Sequence, residues 1–482
     1  MKYIVSIDQS TSASKAFLID GQGDIVRRAS RPHRQFYPAP DRVEQDAEEI
    51  FQNVAAVIGE VTDGIPARDL SALAITNQRE TTVLWDRETG LPVCPAVVWQ
   101  DTRGAALCQQ LSAHGEAVER VTGSALSPYL PASKIGVLLN ERPDLRRRAE
   151  AGDIAMGTME SWLVYRLTGR HATDVSNASR TQLMDLTTLR WSGELARWFG
   201  IPASMLAPEI LPSDACFGEY RGIPITGVLG DSFATLFGQG CHAPGATKVS
   251  YGTGTSVMVN IGSAPRLLGP GLTTAAAWGY DGATVYEIEG NITCSGDTLV
   301  WLCKSLELFR DPAEIEALAR TVEDSGGVQL VPAMAGLGAP FFDPEARAVL
   351  RGMSRGTTRA HVARAALESM AQRVADVLEV IRAGGLDVQT MQVDGGGAKN
   401  TLLMQLQADL ADCALNCSAA SELSGLGAAY MAGLKTGVYP DFDGIPARHR
   451  PAQVYRPAMS PEARSEMRRA WASAIACAQM KG

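Results

Sequence analysis

Three short stretches of this chain gather residue types that can handle phosphate and protons. In "DQSTSAS" (8–14) a carboxylate and a run of hydroxyls separate a short apolar strand, Tyr3–Ile7, from the strand pattern of "KAFLID". The segment "ATKVSYGTGTSVMVNI" (246–261) repeats that layout: apolar strand, a turn of Gly, Ser and Thr, apolar strand. Turns of this composition let backbone amides approach a ligand, because Gly supplies unusual dihedrals and Ser/Thr add hydroxyl donors. The third, "MQVDGGGAKNTLLMQLQADL" (391–410), reads as strand, Gly-rich turn and helix. Unpaired N–H groups at such a helix start favour an anion. It is not a P-loop, since GxxxxGK[ST] occurs nowhere in the chain.

Two further places carry charge at strand ends. In "GVLGDSFATLFGQG" (227–240) the apolar strand Ile225–Leu229 delivers Asp231 to a turn before a helix. Local sequence alone reads that aspartate as an N-cap. Arg79 and Glu80 follow the strand "LSALAITN" (70–77), and alone they read as an exposed charge pair in a loop. Trp99, in the strand pattern "AVVWQ" (96–100), alone reads as core packing.

The elements that must position these residues alternate between strand and helix. "AEEIFQNVAAVIGEV" (47–61) has Ile50, Phe51, Val54, Val57 and Ile58 at helical spacing. "HVARAALESMAQRVADVLEVIRA" (361–383) forms a long helix closed by Gly384-Gly385. That alternation defines an α/β fold. Two similar hairpins half a chain apart point to duplicated domains facing each other across a cleft, with "GCHAPGA" (240–246) as the natural boundary. The expected domains are 1–243 and 244–482, which suits a 482-residue chain too long for one core.

Bulk properties narrow the function classes. A net charge of −9 argues against a nucleic-acid surface or an anionic membrane as the main partner. Nine cysteines without a CxxC pair read as free thiols of a reducing cytoplasm. With six histidines and neither HxH nor HExxH, a zinc site is not expected. No run of 18 apolar residues spans a membrane, and Asp8 cuts the N-terminal apolar stretch too early for a signal peptide.

Longer matches resemble the FGGY family of carbohydrate kinases from about residue 3 to 440. "AVLRGMSRGTTRAHVARAALE" (348–368) is similar to the family's C-terminal signature throughout. "YLPASKIGVLLNE" (129–141) is similar to its N-terminal signature, with Val137 where Trp is usual. "NQRETTVLWDRETG" (77–90), "DVSNASRTQLMDL" (174–186), "GLGAPFFDPEAR" (336–347) and "GLGAAYMAGL" (425–434) resemble, within the family, the members that act on glycerol. The resemblance implies two actin-like (ribonuclease-H-like) domains flanking a catalytic cleft. It also implies ATP and Mg²⁺ as cofactors, a small polyol or sugar as acceptor, and a homo-oligomer, dimer or tetramer.

Carried over residue by residue, the resemblance makes Asp231 the catalytic base and Asp8 the Mg²⁺ residue, acting through water. Thr11, Ser12 and Lys15 would meet the phosphates. Thr253, Gly254, Gly296, Gly396 and Asn400 would bind the nucleotide. Arg79, Glu80, Trp99, Tyr129, Ser232 and Ser256 would surround the acceptor beside Asp231.

Four positions depart from the glycerol-acting pattern. Lys15 replaces Arg, keeping the charge but losing the bidentate fork. Ser10 replaces a Gly. Ser232 stands where Gln is usual and Ser256 where Phe is usual, which widens the pocket and adds hydroxyls. That change favours a larger four- or five-carbon polyol or ketose (erythritol, threitol, xylulose or ribulose type) as the alternative acceptor. The short "GEYRGIPITG" (218–227) replaces a longer Gly/Lys-rich loop of the members regulated by fructose bisphosphate, so that regulation is not expected. A non-catalytic sugar-binding regulator of the same fold is the alternative from another class. Retention of Asp231 argues against it.

Overall fold

The computed structural model describes residues 2–480 apart from 270, 421, 443–444 and 446–450. Two sheets share one topology. In the first, strands β1 (Tyr3–Gln9), β2 (Ala13–Asp20), β3 (Ile25–Pro32), β4 (Leu70–Asn77) and β5 (Ile223–Gly230) lie in the order β5-β4-β1-β2-β3. The β1/β2 and β2/β3 pairs are antiparallel, whereas β1/β4 and β4/β5 are parallel.

The second sheet repeats this with β6 (Thr247–Tyr251), β7 (Thr255–Gly262), β8 (Leu272–Tyr280), β9 (Ala283–Ile292), β10 (Thr390–Gly395), β11 (Ala414–Cys417) and β12 (Gln453–Tyr455). Its order is β8-β9-β7-β6-β10-β11-β12. Strands β9, β7, β6, β10 and β11 match β3, β2, β1, β4 and β5 in order and in direction. The expected duplication is therefore a repeated topology, with β8 and β12 added at the edges.

Helices lie where that topology needs crossovers. Helix α1 (Ala47–Thr62) joins β3 to β4, and Asp46 caps it by accepting from the N–H groups of Glu48 and Glu49. Its buried Ile50, Val54, Val57 and Ile58 pack with Val5 and Ile7 of β1. Helix α2 (Asp231–Gly238) follows β5, and α3 (Gly296–Lys304) follows β9. Helix α4 (Arg359–Ala383) makes the equivalent crossover from β9 to β10. Helix α5 (Thr401–Ala411) joins β10 to β11, and α6 (Leu423–Lys435) comes after β11.

Helix α6 does not stay with the second sheet. Leu426, Ala428, Ala429, Met431 and Ala432 pack with Ile4, Phe17, Leu229, Phe233 and Phe237 on the first. Both faces of β1 are thus buried, which explains an apolar strand without simple alternation.

The second sheet is two-sided in another sense. Val249, Val257, Val259, Ile288 and Val393 pack with Val374, Val377 and Leu378 of α4. The opposite face carries Lys248, Ser256, Glu289 and Asp394, as the ladder pairings require. That polar face looks at the first domain, not at water: Gln239 Nε2 donates to Asp394 Oδ2 at 2.6 Å. A smaller sheet of Gln35–Ala39, Arg42–Gln45, Ala96–Val97, Thr82–Asp86 and Ile154–Thr158 extends the first domain.

Two expectations shift. Strand β1 runs on to Gln9, so Asp8 lies inside the ladder opposite Lys15 rather than in the turn. The strand expected over 96–100 stops at Val97. Beyond it Lys134 Nζ takes the carbonyls of Val98 and Trp99, both at 2.9 Å, and the Trp99 N–H donates to Thr81 Oγ1. The 218–227 segment is a tight hairpin, with Glu219 and Tyr220 paired to Pro224 and Ile223. None of the nine cysteines is in a disulfide. Among the described residues no helix is long and apolar enough to cross a membrane.

Candidate active site

The first hairpin presents its polar residues toward α6 because Ile4, Ser6 and Asp8 alternate on one face of β1. Ser6 Oγ donates to Gly425 O at 2.6 Å, and Ser424 Oγ donates to Asp8 Oδ2 at 3.0 Å. Burial pushes the Asp8 carboxyl up to about 6. Lys15 and the Ser424 hydroxyl oppose that rise, while the Asp231 and Glu422 carboxylates add to it. The Lys15 ammonium lies 2.9 Å from Glu422 Oε2.

Thr11 is fixed at the tip. Its carbonyl accepts from Gln45 Nε2 at 2.6 Å and from the His33 ring at 3.0 Å. Its Oγ1 accepts from Trp99 Nε1 at 3.0 Å, which joins a residue expected near the acceptor to the turn expected to meet the phosphates. Ser12 is exposed beside it.

The second group crosses the cleft. Arg79, in the loop after β4, donates from Nη1 and Nη2 to Glu289 Oε2 and Oε1 of β9 at 2.9 and 3.1 Å. Its Nε lies 3.5 Å from Asp231 Oδ1, and its guanidinium stacks over the Phe233 ring at 5.0 Å. Such forked pairs fix orientation as well as charge. Glu289 is wholly buried, yet Arg79 beside it holds its carboxyl well below the usual range. Ser256 Oγ also donates to Glu289 Oε1, at 2.9 Å.

Asp231 opens α2, and its Oδ1 accepts from the Ser232 N–H at 2.6 Å. Its side chain keeps 38% of its surface open to the cleft. Burial raises its carboxyl above the ordinary value, Arg79 opposes that rise, and Glu80 reinforces it. Glu80 sits in the left-handed region at φ 62° and accepts from Arg180 Nε at 2.6 Å. A non-glycine residue held there is a strained conformation that the surrounding contacts must over-determine. Tyr129 is half-exposed, just before the helix that carries Lys134.

The second turn rests on the start of α3. Thr253 O accepts from the N–H groups of Ser295 and Asp297, and Gly252 O accepts from Gly296 N. A Cβ on Gly296 would lie 2.3 Å from Gly252 O, so only glycine allows this approach. Thr253 is exposed, and Gly254 lies beside it. Gly396 is exposed with nothing near it, in the turn that follows β10. Asn400 Oδ1 caps α5 by accepting from Leu403 N at 2.9 Å, so its amide nitrogen is the part left for a ligand.

The structure therefore gathers Asp8 with Lys15, Thr11 with Trp99, and Arg79 with Asp231 and Ser256. Glu289, Arg180, Glu422 and Ser424 escaped the sequence. In "YEIEGNI" (286–292) the alternation of Glu287 and Glu289 with Tyr286 and Ile288 is what a solvated strand face shows. Only the facing domain makes it interior.

Two like-folded domains, with a carboxylate and an arginine in the cleft between two hydroxyl-rich hairpins, make a phosphotransferase architecture. Models of the FGGY family of carbohydrate kinases match it, the N-terminal domain over residues 3–238 and the C-terminal domain over 247–436. This chain belongs to that family, whose enzymes transfer phosphate to an alcohol group. It is 45% identical over 489 residues to the glycerol kinase of Citrifermentans bemidjiense, covering 98% of each chain. It is 42% identical over 486 residues to glycerol kinase 1 of Thermotoga maritima, covering 98% of this chain and 99% of the relative. The fold matches Plasmodium falciparum glycerol kinase solved with ADP, at TM-score 0.95 and 32% identity, covering 100% of this chain and 99% of the other. A xylulose kinase from Lactobacillus acidophilus shares the fold at TM-score 0.90 and 21% identity, covering 99% and 98%.

Proposed function

We propose that the chain transfers the γ-phosphoryl group of ATP to glycerol, forming glycerol 3-phosphate. The observation that carries this reading is Asp231, open to the cleft and oriented beside an arginine that Glu289 holds from the opposite domain. Asp231 accepts the proton of the attacking hydroxyl, and its raised affinity for protons suits that task. Two of the five guanidinium N–H groups of Arg79 go to Glu289, and the outward Nη groups bind the acceptor's other oxygens. Trp99 and Tyr129 form the apolar wall, Glu80 accepts from a hydroxyl, and Ser232 lies at the start of α2.

Thr11, Ser12 and Lys15 meet the phosphates from one domain and Thr253 and Gly254 from the other. Gly296 supports that second turn, and Gly396 and Asn400 contact the rest of the nucleotide. Mg²⁺ fits Asp8 by the chemistry of its carboxylate, which accepts from the Ser424 hydroxyl at 3.0 Å and keeps further lone pairs for a water-mediated contact. Among the described residues no cluster of three metal-ligating side chains exists. Mg²⁺ beside a nucleotide is commonly held by one or two carboxylates and the nucleotide's own phosphates. The ion would neutralise charge developing on the transferred group. The boundary at 243/244 belongs to the same reading, with α6 crossing back onto the first sheet.

The Ser256 hydroxyl is engaged with Glu289. Its one proton is therefore committed to the Arg79 clamp and only its lone pairs remain for a substrate hydroxyl, while the identity to glycerol kinases supports glycerol over a longer acceptor. Measuring kcat/KM with ATP across glycerol, erythritol, threitol, xylulose and ribulose tests this. Glycerol should lead; a clear preference for a four- or five-carbon acceptor overturns the assignment.

A further inference from the structure

The first hairpin does not hold its own reactive groups. Lys15 ends 2.9 Å from Glu422, and Asp8 accepts from Ser424 at 3.0 Å. Both partners come from the start of α6, more than 400 residues away in sequence. Glu422 is the N-cap residue of α6, yet its side chain makes no capping bond to the helix. An aspartate in that place would take the helix's unpaired N–H groups, but glutamate is one methylene longer. Here it reaches across to Lys15 instead. The helix is itself fixed against the hairpin by the Ser6–Gly425 bond. A Cβ on Gly425 would lie 2.7 Å from the Phe17 ring, so the contact has no slack.

We propose that Glu422 and Ser424 are positioning residues for the nucleotide, Glu422 setting the Lys15 ammonium and Ser424 setting the Asp8 carboxylate. This rests on the kinase reading above. An unheld lysine gives up side-chain rotamer freedom when it settles on a ligand. The bond to Glu422 restricts that freedom before the nucleotide arrives. The group of four sets one ammonium against two carboxylates. It therefore accepts phosphates that come with a divalent cation more readily than bare phosphates.

Equilibrium binding of ADP by calorimetry, with Mg²⁺ and with EDTA, tests this without turnover. Glu422→Gln should weaken binding of ADP with Mg²⁺ and strengthen binding of bare ADP, narrowing the ratio of the two Kd values about tenfold. Ser424→Ala should weaken only the Mg²⁺ complex, and Ser424→Thr should restore it. In steady state, KM for ATP should rise in the two impaired variants while KM for glycerol stays put. Folded variants with wild-type Kd values in both media would overturn the inference. If wild-type protein binds ADP but phosphorylates no polyol, the kinase reading fails and this one can still stand or fall on binding.

Discussion

Glu289 on β9 grips Arg79 across the interdomain cleft with both carboxylate oxygens, at 2.9 and 3.1 Å. The same arginine is 3.5 Å from Asp231. The second domain therefore orients the arginine that we propose clamps the acceptor. Replacing Glu289 by Gln keeps the shape but removes the forked counter-charge of Arg79, leaving it only the more distant Asp231 carboxylate at 3.5 Å. A broken buried pair costs about 3–5 kcal/mol. We expect a marked fall in Tm and a rise in KM for glycerol of about tenfold or more. An unchanged KM in a folded variant would show that Arg79 needs no such partner.

Asp231 gives a sharper split between stability and activity. Burial raises its carboxyl above the ordinary value, so the ionised form is disfavoured in the fold. Asp231→Asn should hold or raise Tm while lowering kcat by about 10²–10⁴-fold. In the wild type, kcat/KM should fall with decreasing pH along a limb above the usual carboxylate range, since the base must be ionised. A near-wild-type kcat for the variant would remove Asp231 from the mechanism.

The strands, helices and hairpin duplication were legible because apolar spacing and Gly/Ser/Thr turns are local signals. Helix α1 and strand β4 lie where their patterns put them. The catalytic role proposed for Asp231 comes only through resemblance, since a Gly-Asp before a helix is locally a cap. Glu289, Glu422 and Ser424 were not legible at all. Their partners lie 210, 407 and 416 residues away, and no periodicity encodes a contact across two domains. The two-residue strand at Ala96–Val97 shows a related limit. Side chains from Lys134 and Thr81 claim the next backbone groups, which strand propensity does not register.

Lys134 predicts a pH dependence of stability. Burial pushes its ammonium down to about 7, with Arg103 acting in the same sense and Glu80 and Asp101 opposing. The unfolded chain therefore binds the extra proton between about 7 and the ordinary lysine value near 10.4. Stability gains with rising pH across that window. Urea midpoints at pH 7 and 9 should show this gain in the wild type relative to Lys134→Met. The variant should also be less stable at pH 9, because the Val98 and Trp99 carbonyls lose their donor. Parallel midpoint curves for the two proteins would rule out a buried, easily neutralised lysine.

Packing at Gly427 links the helix crossing to catalysis. Helices α2 and α6 meet where a Cβ on Gly427 would lie 1.8 Å from Ala234 O, while one on Gly238 would meet Leu423 O at 2.7 Å. Backbone atoms cannot yield as a side-chain end does, so Gly427→Ala must push the helices apart. Overpacking of this kind costs about 1–3 kcal/mol. Asp231 opens α2, and Glu422 and Ser424 lie at the start of α6, so the displacement moves both sides of the proposed site. We expect Gly427→Ala to lower Tm and to reduce kcat while raising KM for ATP. Gly437→Ala is the control: its φ of 70° strains the backbone, but nothing lies within 4 Å of its added Cβ. It should cost stability without touching either kinetic constant. Equal kinetic losses in both variants would assign the effect to general destabilisation rather than to the crossing.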